Sequence, residues 1–368
     1  MKITRISVYQ LDVRLLDGGY RFAKGRLVEV ADTTVVRIDT DEGLVGWGET
    51  TPLGPSYLPS YGPGVRTGTA HLAPHLLGLD PTLLGPINVV MDRELQGHSY
   101  AKSAIDVACW DILGKATGQP VHALLGGRMH ESLPMYGSVS QGDPAWMAER
   151  ATRFRQDGYE QIQVKVGDDP TDDVARLRAV TRDSPPSETV LADANRGWRR
   201  DEALRFALAT TDLGFILEQP CDRYADNLSV RGRVPQRFKL DESLQGMDDV
   251  TVALADDAMD VACIKISKFG GLTKSRLARD VCAAAGIPMT VEDVWGCQIV
   301  TAAVGHLAIS TPPVGFLNTT DLQSYNDIVL GEPSAYAVGG RLVVTDDPGL
   351  GIDPDPAVLG EPVAVFTA

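Results

Sequence analysis

More than half of this chain repeats one rhythm. Between about residues 130 and 325, short β-branched runs recur, each stopping at polar residues and each followed by an amphipathic helix rich in Ala, Arg and Asp. The runs are expected to end near Tyr136, Lys165, Asp193, Glu218, Asp241, Lys265, Asp293 and Asn318. Those ends lie roughly 25–30 residues apart, the length of one strand–helix unit in an eight-stranded (β/α) barrel of ~250 residues. The rhythm predicts an α/β protein whose chemistry sits at the C-terminal ends of its strands.

The first third is patterned differently. Residues 2–13 and 33–40 read as strands, and Gly46-Trp47-Gly48-Glu49 ends a third. A helix is expected from about Ser103 to Lys115, closed by Gly-Gln-Pro at 118–120. Pro120 to Gly127 (PVHALLGG) then leaves this α+β unit. The last stretch carries Gly339-Gly340 and a short strand signal, RLVVT, and is expected to return to the first unit. The expected division is therefore 1–127, 128–322 and 323–368, with no low-complexity linker between the parts.

Composition limits the partners. The 368 residues hold 34 Lys plus Arg against 49 Asp plus Glu, a formal charge of −15, which repels phosphate backbones and anionic membranes. No apolar run is long enough to span a bilayer, and the alternating start MKITRISVYQLDV lacks a signal-peptide core. The five cysteines (109, 221, 263, 282, 297) are odd in number and scattered, as expected of buried free thiols in the cytoplasm. Neither nucleic acid nor membrane is an expected partner.

The strand ends carry chemistry. Three successive ones offer Asp193, Glu218 and Asp241, and grouped carboxylates repel one another unless a hard cation such as Mg²⁺ joins them through oxygen. A lone acid at such a position is ordinarily a solvated loop residue; three at barrel spacing, flanked by lysine strand ends, are not. Lys165 and Lys265 bracket the triad. A partly desolvated lysine near a cation has a lowered pKa and can serve as a base. The bland reading of either lysine alone is a surface ion pair.

These residues resemble the mandelate racemase/muconate lactonizing branch of the enolase superfamily over essentially the whole chain. The segment from Ser103 to Lys115 with LLGG at 124–127 resembles that family's capping domain. QVKVG, ADANRGW, EQP, LDES and IKISKFGG resemble its metal and lysine strand ends. The resemblance implies a modified TIM barrel under an α+β cap built from both ends of the chain. It also implies one Mg²⁺ per subunit on Asp193, Glu218 and Asp241, replaceable by Mn²⁺, and Lys165 and Lys265 as catalytic groups. A small carboxylate partner of amino-acid type and a homo-oligomeric assembly are implied as well. The implied chemistry, removal of the proton α to a carboxylate with Mg²⁺ stabilising the ene-diolate, is the superfamily's known mechanism and is taken from it. Two departures stand out. None of the histidines (71, 75, 98, 122, 130, 306) falls at a strand end, so a strand-seven His base is missing and a two-lysine site is implied; His71 and His75 read as a surface pair. Gln163 stands where many relatives carry a further lysine.

Within the family, GWGETTPLGPSY (46–57), GHSYAKSAIDVA (97–108), ADANRGW and EQPC resemble hydroxyproline dehydratases and hydroxyproline betaine 2-epimerases. A quaternary betaine nitrogen is best met by an aromatic face, a protonated secondary amine by a carboxylate. Strand eight ends Asn318-Thr319-Thr320-Asp321 without the Trp of a betaine cage, so Asp321 favours a free imino acid, or else caps the following helix. The expected substrate contacts are Tyr20, Tyr57, Gln163, Asn195, Asp293, Trp295 and Asp321, with Asp293 preferred to Glu292 because neighbours on a strand face opposite ways. Asp17-Gly18-Gly19-Tyr20 is expected to form a hinged lid, with Tyr20 alternatively a packing aromatic. The expected activity is dehydration of cis-3-hydroxy-L-proline. The alternatives are 2-epimerisation or racemisation of proline, hydroxyproline betaine, a dipeptide or an N-acylamino acid, and a carboxylate-binding sensor without turnover.

Overall fold

A computed structural model describes all 368 residues. The chain opens with β1 (Ile3–Arg14), the short hairpin β2 (Tyr20–Phe22) and β3 (Arg26–Val28), then β4 (Val30–Thr40) and β5 (Val45–Thr50). Three helices follow: α1 (Gly62–Leu76), α2 (Leu84–Glu94) and α3 (Ser99–Thr117). They cover a four-stranded antiparallel sheet in the order β17-β1-β4-β5, where β17 (Ala364–Thr367) comes from the far end of the chain and pairs with β1. α3 lies almost wholly buried against β5. Glycine lets it do so: a Cβ on Gly48 would stand 1.8 Å from the Ala104 carbonyl oxygen.

After the two-residue β6 (Leu133–Pro134) come eight parallel strands, β7 (Tyr136–Val139), β8 (Gln161–Lys165), β9 (Thr189–Asp193), β10 (Ile216–Glu218), β11 (Arg237–Leu240), β12 (Val261–Lys265), β13 (Met289–Glu292) and β14 (Phe316–Asn318). They run in sequence order around the sheet. The Tyr136 amide donates to Thr319 O at 3.0 Å and the Thr319 amide to Pro134 O at 3.1 Å, which joins the two ends into a barrel. β15 (Ala335–Val338) and β16 (Arg341–Val344) form a hairpin that pairs with β6.

The first barrel strand departs from the expected placing: Tyr136 begins it rather than ends it. Gly137 and Ser138 look like a turn in sequence, yet they pair with Ile162 and Gln163 of β8. Asp241 and Asp293 stand one residue beyond their strands. The largest core, 74 buried residues, runs from Tyr9, Trp47 and Trp110 of the first unit into the barrel helices, while a separate cluster of 14 that includes Ile38, Leu72 and Ile105 lies within the first unit. No helix is long and apolar enough to cross a membrane.

Candidate active site

Period-two alternation decides what enters the barrel. β8 is buried throughout, and its polar residues Gln161, Gln163 and Lys165 share one face while Ile162 and Val164 take the other. Near the floor, Asn318 Nδ2 donates to Gln161 Oε1 at 2.6 Å and Thr290 Oγ1 to Asn318 Oδ1 at 2.7 Å. Above that plug, Lys165, Asp193, Glu218, Asp241 and Lys265 emerge at the strand ends, none more than a tenth exposed. β8 and β12 are four strands apart in an eight-stranded ring, which sets Lys165 and Lys265 on opposite sides of the mouth.

Each lysine rests on a carboxylate. Lys165 Nζ donates to Asp193 Oδ2 at 2.5 Å, and Lys265 Nζ to Asp241 Oδ2 at 2.6 Å. Burial pushes both ammonium groups down, but Asp193 and Asp241 pull them up further, and both stand well above the ordinary lysine value. The nearest protein charges on each lysine are anionic, and they outweigh desolvation. Asp241 is held from three sides. Tyr57 of the first unit donates to Oδ2 at 3.1 Å, and Lys268 donates to Oδ1 at 2.7 Å and to the Asp241 carbonyl at 2.6 Å. Gln219, whose backbone is left-handed (φ 37°), accepts the Asp241 and Ser243 amides on one oxygen and so fixes the turn that presents Asp241.

The donor set fits a hard cation. Burial and the nearby Asp193 push Glu218 up to about 8, a sign of unrelieved crowding of negative charge. Lys239 Nζ, fully buried, lies 2.9 Å from Glu218 Oε1 without hydrogen-bond geometry, and neither atom has another partner. Ligand atoms of Glu218, Asp241 and Cys263 lie within 4.8 Å of one another. Cys263, however, is a soft thiol pushed well up by burial, and it donates to Glu292 Oε1 at 2.9 Å. Glu218 and Asp241 supply the oxygen donors of that close group, which does not include Asp193, and oxygen is what Mg²⁺ selects.

The structure brings Tyr20, Tyr57, Gln163, Asn195, Asp293 and Trp295 to the same cavity as the two lysines. Gln163 Nε2 donates to Glu218 Oε2 at 3.0 Å. Asn195 accepts nothing on Oδ1 and donates to Glu242 Oε1 at 3.2 Å. Asp321 is placed elsewhere. It does not line the cavity, and its Oδ1 accepts the Ser324 amide at 3.3 Å, the capping role. Asp293 reaches the cavity but spends its carboxylate on Ser267 Oγ (2.7 Å), the Ser267 amide and the Val294 amide. Glu292 lines the cavity beside Asp293: its Oε1 lies 3.8 Å from Lys265 Nζ, and Tyr136 donates to its other oxygen. Sequence reasoning also missed Lys239, Glu242 and Lys268. The signal for Lys239 is a lysine inside an apolar strand, RFKL.

The cavity holds about 40 Å³, room for a few waters only. Tyr20 and Tyr57 stand over it, their rings 5.5 and 5.3 Å from Lys165 and Lys265. A larger groove of about 1100 Å³ opens beside Tyr61, Gly97 and Asp248, but neither Lys165 nor Lys265 lines it.

Known proteins share both the sequence and this architecture. Residues 22–126 match the family described as mandelate racemase / muconate lactonizing enzyme, N-terminal domain, and residues 146–358 match enolase C-terminal domain-like. The chain is 49% identical to cis-3-hydroxy-L-proline dehydratase of Roseibium aggregatum, with 100% of each chain covered. It is 31% identical to N-succinyl-L-Arg/Lys racemase of Bacillus cereus, over 84% of this chain and 85% of that one. It superimposes with a TM-score of 0.97 and 44% identity on a mandelate racemase/muconate lactonizing enzyme of Roseovarius nubinhibens, covering 100% and 99% of the two chains. A member of the enolase superfamily from the same organism, complexed with magnesium, gives 0.94 and 38% with both chains covered in full.

Proposed function

The chain belongs to the mandelate racemase/muconate lactonizing enzyme family of the enolase superfamily, and we propose that within it the protein dehydrates cis-3-hydroxy-L-proline. The observation that carries this reading is the placing of Lys165 and Lys265 on strands four apart. In this substrate the C2 hydrogen and the 3-hydroxyl lie on opposite faces of the ring. Lys165, as the neutral amine, takes the C2 proton; the C2–C3 double bond forms as the C3–O bond breaks; Lys265, as ammonium, gives its proton to the departing hydroxyl, which leaves as water. The full-length relative at 49% identity supports the same choice.

Asp193, Glu218 and Asp241 would hold Mg²⁺, with residues 1–127 and 323–368 as the cap and 128–322 as the barrel. Bound there, the cation would offset the anionic charge that now keeps the lysines protonated, and stabilise the second negative charge created when the α-proton leaves. Tyr57 holds Lys265 and Asp241 in register. Asp321 is spent on Ser324, and Tyr20 and Trp295 offer the substrate nitrogen aromatic faces that suit a betaine as well as an imino acid, so the choice of free hydroxyproline rests on the full-length relative.

The same opposed lysines favour a second reading, 2-epimerisation, in which one removes the proton and the other returns one. Proton NMR in D₂O with Mg²⁺ separates the two. Dehydration consumes the carbinol C3–H signal; epimerisation places deuterium at C2 and keeps the C3–H signal. No exchange on hydroxyproline, proline or dipeptides would leave a carboxylate-binding protein.

A further inference from the structure

Two cavities meet at a wall of three aromatic rings. The inner one lies between the lysines. The outer one, about 150 Å³, is enclosed by the segment from Leu15 to Gly19 and by Trp146 and Arg150 of the helix Pro144–Gln156. Tyr20, Trp295 and Tyr325 line both. Their ring centroids are spaced 5.1 Å from Tyr20 to Trp295 and 5.8 Å from Trp295 to Tyr325, so the wall has no gap of molecular size.

Each ring is pinned. The Tyr20 hydroxyl is 3.3 Å from Ser138 Oγ, the Tyr325 hydroxyl accepts the Ser138 amide at 3.2 Å, and the Trp295 indole donates to Asn326 Oδ1 at 2.7 Å. Swinging a ring aside would break its bond, and that of Trp295 is buried, where it is hard to replace. On the outer side Arg150 Nη2 pairs with Asp17 at 2.6 Å. That carboxylate is largely exposed, so the guanidinium can exchange it for another.

We propose that the Tyr20–Trp295–Tyr325 wall sets substrate length. It confines the site to a small amino acid, and opening it admits a dipeptide or N-acylamino acid whose distal carboxylate Arg150 receives. This rests on the hydroxyproline reading above and extends it from chemistry to selectivity. Tyr325 is the ring to remove, because Tyr20 faces Lys165 and Trp295 belongs to the loop that carries Asp293.

The test compares wild type, Tyr325→Ala and Tyr325→Phe, all with Mg²⁺, using L-alanyl-L-glutamate and cis-3-hydroxy-L-proline as probes. Binding is read by calorimetry and α-proton exchange by NMR. Tyr325→Ala is expected to bind the dipeptide at least about 10-fold tighter than wild type, to raise KM for hydroxyproline, and to gain dipeptide exchange. Tyr325→Phe keeps the ring and is expected to keep the wild-type preference. Equal dipeptide binding by wild type and a folded Tyr325→Ala overturns the proposal, as does wild type binding the dipeptide as tightly as hydroxyproline. Should Tyr325→Ala fail to fold, Tyr325→Leu is put through the same comparison, and no gain there overturns it equally. A wild type inert toward hydroxyproline sinks the functional reading alone, since the binding comparison still judges the wall.

Discussion

Lys265 touches more charged and polar groups than its partner. It donates to Asp241 and Tyr57 and lies near Glu292, whose carboxylate is one of the charges that raise it. Lys265→Ala is expected to abolish dehydration while Mg²⁺-dependent binding of the carboxylate persists; full turnover in that variant would sink the two-lysine scheme. Glu292→Gln removes a neighbouring anion, so the Lys265 pKa falls and its ammonium is lost at lower pH. The alkaline limb of the kcat profile should move down, with kcat reduced on the order of 10- to 100-fold. The strand-end residues are legible in sequence because each interrupts an apolar run where a strand must stop. Glu292 is not: it follows Val291 on a buried strand next to Asp293, and only the Ser267 bonds that occupy Asp293 decide which acid serves Lys265. Asp321 misleads for the same reason. A cap and a ligand look alike until the Ser324 amide is placed.

Two local contacts shape the first unit. The segment before β2 turns through Asp17 (φ 56°) and Gly18–Gly19, and Arg150 pairs with Asp17 at 2.6 Å. An exposed pair of this kind contributes up to about 1 kcal/mol, so Arg150→Ala is expected to raise KM up to about 5-fold with little change in kcat. Steady-state kinetics on hydroxyproline read this directly. The other is the contact of α3 with β5. Gly48→Ala would drive a methyl into the Ala104 carbonyl, and overpacking of this kind costs about 1–3 kcal/mol or more. Denaturant unfolding should show that loss. The glycines of Gly46-Trp47-Gly48-Glu49 mark a strand end in sequence; that they admit a helix backbone is visible only once α3 is laid on them.

Over the whole molecule, the first unit and the barrel are joined through Glu49. Its carboxylate accepts the Cys297 and Val300 amides at 2.7 and 3.1 Å, at the start of the helix Gln298–Ile309 that follows Trp295. Burial pushes it up to about 7 despite those donors. Between the usual carboxylate range and pH 7 the native state therefore holds a proton that the unfolded chain has lost. Stability falls as pH rises through that window, by on the order of 3 kcal/mol for this group, and levels off above it. Glu49→Gln should flatten the decline of Tm between pH 5 and 8 relative to wild type; an unchanged slope would mean the carboxylate is ionised throughout. The barrel rhythm is legible because eight units repeat it. The return of the last stretch to the first unit is expected from sequence, but β17 makes it by pairing with β1, whereas RLVVT supplies β16, which pairs with β6 beside the barrel, and nothing local marks which strand goes where. The pairing of β17 with β1 has a consequence for biosynthesis. The outer edge of β1 leaves the ribosome early but stays unpartnered until the entire barrel has been translated, so the cap sheet closes late and at high contact order. Through that interval a nascent chain carries a bare strand edge able to pair with its neighbours on a polysome, and the yield of folded enzyme depends on how fast translation brings Ala364–Thr367 to cover it.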